Sequence, residues 1–128
     1  MIEPVSTPQD LRDFVDLPYQ LNRRDPVWIP PLRSEQTAQF DPRRNPMLDH
    51  CQVQLFLARQ GGRVVGRISA FIDRLALEHW REPVGLFGSY ECIADPAVGA
   101  DLLAAAREWL QQRGMRSMRG PWSFASQE

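Results

Sequence analysis

The side chains that could do chemistry concentrate in one short stretch, Tyr90-Glu91-Cys92, at the end of an apolar run. A carboxylate placed between a tyrosine and a cysteine could act as a general base toward an amine. A glutamate that faces solvent or forms a salt bridge is the alternative, and the sequence leaves both open. Cys92 has no histidine close in sequence to activate it, so we interpret it as a buried structural thiol.

The two histidines and two cysteines of the chain show no spacing typical of a metal site. His50 and His79 are isolated, and Cys51 and Cys92 have neither zinc-knuckle nor redox-pair spacing. We therefore predict no metal and two reduced thiols. All 15 basic residues are arginine, which excludes a lysine Schiff base and a P-loop lysine.

A strand and a helix must position Glu91. Residues 84–93 are apolar and rich in β-branched and aromatic types, which predicts a strand. Asp95 is a suitable N-cap and Pro96 a suitable first helical residue, so residues 96–113 are predicted to form an amphipathic helix, with Gly114 after it. Backbone N–H groups at the start of such a helix can hold an anion.

The other predicted elements complete a mixed α/β (α+β) domain. Residues 51–60 and 63–73 alternate around Gly61-Gly62, which predicts a β-hairpin, and we place Val64, Gly66, Ile68, Ala70 and Ile72 on one face of its second strand. A strand near residues 1–6 precedes a helix from Thr7 that Pro18 kinks or ends, then a short helix at 32–40 and a loop at 43–49. Another short helix covers 74–82. A last strand starts at 115–118 and is broken or ended by Gly120-Pro121-Trp122-Ser123-Phe124.

Composition excludes several classes of function. The 128 residues suit one domain, and the net charge of -1 gives no electrostatic footprint for nucleic acid or an anionic membrane. The N-terminus has no signal-peptide pattern, and no apolar run approaches the ~20 residues of a membrane span. These features favour a cytoplasmic protein.

Three segments resemble the GCN5-related N-acetyltransferase (GNAT) family: LFLARQGGRVVGRISAFID, FGSYECIADPAVGADLLAAAREWLQQRGM and RSMRGPWSF. FVDLPYQLNRRDPVWIPPL, FDPRRNPML and RGPWSF further resemble the N-terminal half of uncharacterised bacterial GNAT-like proteins. The resemblance implies an N-acyltransferase that uses acetyl-CoA or another acyl-CoA and a small-molecule amine acceptor. It makes Glu91 the base. It assigns pantetheine to the backbone of the fourth strand, and pyrophosphate to the turn before the helix. The implied cofactor-binding residues are Leu86, Phe87, Tyr90, Cys92, Ala97, Val98, Gly99 and Ala100.

The sequence departs from the family in two places. Where the family has Arg/Gln-x-x-Gly-x-Gly/Ala, this chain has Ala94-Asp95-Pro96-Ala97-Val98-Gly99, with a negative charge and a missing N–H donor. The family fold also continues past the fifth strand, so we interpret residues 1–128 as one incomplete domain that lacks the C-terminal elements. The alternative function is a non-catalytic structural or dimerisation domain with a degenerate CoA site. Its partner would be the missing half or a second copy, and the apolar Met118, Trp122 and Phe124 near the sheet edge favour a homodimer.

Overall fold

The computed structural model describes residues 1–122, so Phe124 lies outside the described residues. Within these residues, four helices and one 3₁₀ turn accompany a five-stranded sheet. The elements in chain order are β1 (Ile2–Pro4), α1 (Pro8–Leu21), α2 (Arg33–Ala38), the 3₁₀ turn (Pro46–His50), β2 (Cys51–Gln60), β3 (Arg63–Asp73), α3 (Arg74–Trp80), β4 (Val84–Cys92), α4 (Pro96–Gln111) and β5 (Ser117–Trp122).

The strands lie in sequence order, β1-β2-β3-β4-β5, and all neighbours are antiparallel except β4 and β5, which are parallel. Helix α4 supplies the crossover that a parallel pair requires. The hairpin turns at Gly61 and Gly62, whose φ angles of +58° and +78° suit glycine. The mixed α+β class, the hairpin and the parallel last pair are confirmed.

Helices cover both faces of the sheet. On one face, Leu102 and Ala106 of α4 are fully buried against apolar residues of β2 and β3, and Trp109 is buried as well. On the other face, Phe14 of α1 packs against Leu55 and Leu57 of β2. The described residues contain no helix long and apolar enough to cross a bilayer.

A β-bulge in the hairpin changes which side chains of β3 face α1 and which face α4. Arg59 pairs with Val64 and Ala58 pairs with Gly66, so Val65 has no partner in β2. An unpaired residue reverses the alternation of the side chains around it. Val64 therefore packs on the α1 face while Val65 joins the α4 face, and our placement of Val64 beside Gly66 is wrong.

Of the two predicted effects of Pro18, a kink or an end of the first helix, the structure excludes the end. Helix α1 begins with a capping box, in which Thr7 and Asp10 each accept the other's backbone N–H, and it continues through Pro18 to Leu21. Helix α2 is shorter than predicted, and the 3₁₀ turn occupies part of the predicted loop.

The sheet's last strand also differs. The stretch from Gly120 to Phe124 is predicted to break or end β5; the strand continues through the cis Gly120–Pro121 bond to Trp122, and Ser123 and Phe124 lie outside the described residues. An edge strand tolerates proline because one side of its backbone needs no partner. Trp122 is 41% exposed, with its ring 6.1 Å from that of Trp80, and its expected role in a homodimer stays a prediction.

Candidate functional site

The second half of β4 carries the predicted site. Arg67 pairs with Glu91 and Ser69 pairs with Gly88, so Ser89 and Tyr90 of β4 together face one residue of β3. Ser89 has a φ of +49°, a conformation that residues other than glycine adopt rarely. This second bulge turns the backbone after Gly88 away from the path of the first half of β4.

Beyond the bulge, no strand of the described residues 1–122 lies beside one backbone edge of β4. Pairing with β5 reaches only Gly88 and Trp122 within residues 1–122. The backbone N–H of Ile93 donates to the carbonyl of Val65 at 2.9 Å, so the backbone polar groups of Ile93 face β3. Because backbone groups alternate along a strand, those of Cys92 point to the opposite side. An extended amide-containing ligand could pair with this edge as an added strand does.

A groove between β4 and α4 lies beside that edge; we call it the β4–α4 groove. Its volume is about 560 Å³, and its lining includes Tyr90, Cys92, Pro96, Gly99, Ala100 and Leu103. A Cβ on Gly99 would collide with the Tyr90 hydroxyl, so glycine at this position allows the ring to lie against the helix. The pKa of Tyr90 is raised, mainly by burial and to a smaller extent by the neighbouring Cys92, so the hydroxyl keeps its proton at neutral pH.

The start of α4 is already capped from within the chain. Pro96 has no N–H, and the N–H of Ala97 donates to the Asp95 carboxylate at 3.0 Å. The N–H of Val98 lies 3.1 Å from the Asp95 carbonyl. A pyrophosphate here would meet the Asp95 charge and would have to displace its bond to Ala97. The start of α4 therefore does not fit the pyrophosphate that the resemblance assigns to it.

Glu91 belongs to a different face, where a buried arginine holds it. The Arg67 side chain is 7% exposed, and its Nη2 lies 3.3 Å from Glu91 Oε1. Its Nη1 donates to the carbonyl of Phe14 at 2.8 Å. Burial lowers the pKa of Arg67, although an arginine stays charged at any ordinary pH.

Pro18 explains why Arg67 reaches into α1. A proline inside a helix leaves the carbonyl four residues earlier without its usual donor, and that carbonyl belongs to Phe14. The Arg67 guanidinium supplies the missing hydrogen bond while its other nitrogen binds Glu91. A chain of contacts therefore runs from the proline in α1 to the predicted base in β4.

Glu91 lines a second groove, which lies between α1 and β4 and has a volume of about 600 Å³. We call it the α1–β4 groove. Its lining includes Leu21 and Asn22 at the end of α1 and Glu91, Cys92 and Ile93 from β4. The two grooves share Tyr90, Cys92, Ile93 and Ala94, so they meet at the end of this strand. A ligand in one groove would lie next to a ligand in the other.

The structure brings only part of the predicted set together. Tyr90, Cys92, Gly99 and Ala100 line the β4–α4 groove, while Glu91 lines the α1–β4 groove. The remaining predicted residues lie outside both linings: Leu86 and Val98 are buried in the core, Phe87 packs against Gly120, and Ala97 is exposed.

Sequence reasoning missed Arg67, which holds Glu91. Strand β3 is covered on both faces, so a charged residue in its middle signals a specific partner. Arg67 and Ser69 lie two residues apart, so both side chains face α1, and both are buried. Two polar residues on one face of an otherwise apolar strand were the sequence signal for this contact.

Two curated proteins resemble this chain in sequence. The bacterial ceramide synthase of Caulobacter vibrioides is 46% identical over 126 residues, which is 98% of this chain and 33% of that protein. Protein YghO of Escherichia coli K12 is 40% identical over 115 residues, which is 90% of this chain and 29% of that protein. The chain thus spans about a third of their length. No family model matches the sequence.

Solved structures show the same fold at low sequence identity. A tandem GNAT protein from the clavulanic acid biosynthesis pathway has a TM-score of 0.65 and 19% identity, over 88% of this chain and 33% of that one. AAC(6')-Iy in complex with the bisubstrate analogue CoA-S-monomethyl-acetylneamine has a TM-score of 0.63 and 19% identity, over 96% and 79%. A predicted acetyltransferase from Clostridium acetobutylicum with acetyl-CoA has a TM-score of 0.62 and 13% identity, over 96% and 82%. The chain described here therefore has the GNAT acetyltransferase fold.

Proposed function

We propose that this chain is the acyl-donor-binding part of an N-acyltransferase, which transfers an acyl group from acyl-CoA to an amine. The observation that carries the proposal is the bulged edge of β4 beside the β4–α4 groove, along which no strand of residues 1–122 pairs beyond Gly88. Structures of the same fold hold acetyl-CoA or a CoA-containing analogue, which supports acyl-CoA as the donor. Amide groups of the pantetheine arm would pair with the backbone around Cys92, as one strand pairs with another.

The acceptor amine belongs in the α1–β4 groove. Glu91 lines this groove, where its carboxylate could take the proton that an attacking amine releases. The new bond forms between the amine nitrogen and the acyl carbon, while the bond from that carbon to the CoA sulfur breaks. CoA leaves as its thiolate, which takes a proton from solvent, and Glu91 returns its proton to solvent. Arg67 fixes Glu91 from the buried side, so it acts as a positioning residue.

The name of one relative suggests the kind of amine. A ceramide is an amide of a long-chain amino alcohol, so a ceramide synthase joins an acyl group to an amine. The proposed acceptor is accordingly an amine on a long apolar chain. Because this chain spans a third of that relative, we propose this acceptor for the complete N-acyltransferase of which this chain would be a part.

Removal of the base tests the reaction. In an assay that measures CoA release and amide formation by mass spectrometry, Glu91→Gln should lower turnover by about 10²–10⁴-fold. Glu108→Gln, an exposed change on α4, should leave it unchanged. Equal turnover of Glu91→Gln and the unmodified chain would exclude Glu91 as the base.

The second candidate is a non-catalytic domain with a degenerate CoA site, favoured by the capped start of α4. Asp95→Asn keeps a good N-cap and removes the negative charge. If the pyrophosphate binds at this turn, the variant should bind acetyl-CoA about 5-fold more tightly, through a charge effect of ~1 kcal/mol. Unchanged affinity places the phosphates elsewhere. Absence of binding by both proteins favours the non-catalytic domain.

A further inference from the structure

Three metal-ligating side chains meet at the open end of the β2–β3 hairpin. Cys51 and Asp73 face each other across the two strands, and His50 directly precedes Cys51. His50 Nδ1 lies 2.9 Å from Asp73 Oδ1 and 3.8 Å from Cys51 Sγ. The three ligand atoms lie within 4.8 Å of one another, and all three residues are half-buried.

We propose that His50, Cys51 and Asp73 form a binding site for a zinc-type divalent transition-metal ion. Imidazole nitrogen, thiolate sulfur and carboxylate oxygen are each zinc ligands, and three of them leave a fourth position for water. Around a tetrahedral zinc ion, such atoms lie about 3.3–3.6 Å apart. The distances of 2.9 Å and 3.8 Å fall on either side of this range, and the third separation, from the Asp73 carboxylate to Cys51 Sγ, is at most 4.8 Å. Side-chain movements of up to about 1 Å would therefore complete the site.

The charges of the site suit a dication. On binding, Cys51 releases its thiol proton to solvent, and the thiolate and the carboxylate together balance two positive charges. The Arg74 guanidinium is close by, where it donates to the carbonyl of Asp49 at 2.9 Å. Its positive charge opposes a second cation, so we expect micromolar rather than tighter binding.

Without a metal ion, this cluster does not resemble a catalytic cysteine site. Burial, followed by the charge of Asp73, raises the pKa of Cys51 to about 12, so the thiol keeps its proton at neutral pH. Cys51 and Asp73 both approach the same nitrogen of His50, and a proton relay needs one partner on each ring nitrogen.

The expected role of the ion is structural. Asp73 also accepts the backbone N–H groups of Leu75 and Ala76, so an ion would join β2, β3 and the start of α3. The site lies seven residues along β3 from Gly66, which pairs with Cys92 beside the grooves. At about 3.3 Å per residue the separation is about 23 Å, too far for direct contact with the proposed reaction. The sequence spacing gave no sign of the site because Asp73 joins it only through the hairpin register.

Cobalt(II) is the probe that tests this proposal, because thiolate coordination gives it a near-ultraviolet charge-transfer absorption. Added to the tag-free chain, cobalt should produce this absorption at one ion per molecule, and zinc should abolish it and raise the melting temperature. Cys51→Ser should abolish the absorption, whereas Cys92→Ser, which changes the other cysteine, should retain it. Asp73→Asn keeps the helix cap and should weaken binding at least ~10-fold.

Three results would overturn the proposal: no absorption in the unmodified chain, absorption that persists in Cys51→Ser, or equal loss in Cys92→Ser. Circular dichroism of each variant before the titration establishes that it is folded. His50→Ala provides a second loss-of-ligand variant if Cys51→Ser does not fold.

Discussion

Both faces of the sheet have an apolar core, but they differ in the polar contacts that supplement it. On the α4 face, apolar side chains pack so closely that a Cβ on Gly66 would come within 2.7 Å of Leu102. On the α1 face, arginines connect the elements in addition to the apolar contacts of Phe14: Arg67 joins β3 to α1 and Glu91, and Arg59 joins β2 to Glu3 and Asp13. Close packing fixes the distance between β4 and its helix, whereas directional polar contacts fix the orientation of one carboxylate.

This difference matches the two tasks in the proposed function. The β4–α4 groove needs a constant width to admit the arm of an acyl donor, and rigid apolar packing provides it. The α1–β4 groove needs a base in one orientation, and the Arg67 guanidinium, whose nitrogens point in fixed directions, provides that. Substitutions on the two faces should therefore have different signatures.

The largest effect on stability should come from the α4 face. Leu102→Ala removes a fully buried side chain and should cost about 3 kcal/mol of unfolding free energy, through lost transfer energy and a cavity. Leu103, the next residue of α4, is only half-buried, so Leu103→Ala should cost clearly less. Urea unfolding measures both. Equal losses would show that the face is not closely packed.

Arg67 should give a smaller effect with a distinctive dependence on Pro18. Arg67→Met leaves the Phe14 carbonyl without a donor and should cost about 2 kcal/mol. Pro18→Ala restores a helical N–H for that carbonyl, so in this background Arg67→Met should cost about 1 kcal/mol less. Additive costs in the double-mutant cycle would refute the link between Pro18 and Arg67.

The sequence predicts the α4 face better than the α1 face for a physical reason. Apolar residues at helical spacing and a Gly-Gly turn are local signals, and they correctly gave α4 and the hairpin. The bulge at Val65, which has no partner in β2, and the bulge at Ser89 both depend on strand register, which no local sequence pattern specifies. The contact of Arg67 with Phe14 joins residues 53 positions apart, and only the folded chain reveals it.

The smallest effect concerns the polar start of α1 and appears as a pH dependence. The backbone N–H of Ser6 donates to Asp10, as does that of Thr7, and together with Arg59 they lower the pKa of Asp10 from its ordinary value of 3.8. Its contribution to stability is therefore present above pH 3.8 and is lost as pH falls through the lower folded pKa.

Thermal melts across acidic pH test this assignment. Asp10→Asn should melt at a lower temperature than the unmodified chain at neutral pH, and the two should converge as pH falls below 3.8. Asp101→Asn, an exposed change on α4, serves as the control. A constant difference between Asp10→Asn and the unmodified chain at every pH would contradict the capping role.

Binding of acyl-CoA in the β4–α4 groove is the central claim, and calorimetric titration with acetyl-CoA tests it most directly. The account predicts saturable binding at one molecule per chain with a Kd below about 1 mM. Gly99→Val, which displaces Tyr90 and fills the groove, should abolish it, and Ala104→Val on a different side of α4 should not. Absence of heat at millimolar acetyl-CoA, or equal binding by Gly99→Val, would contradict the claim.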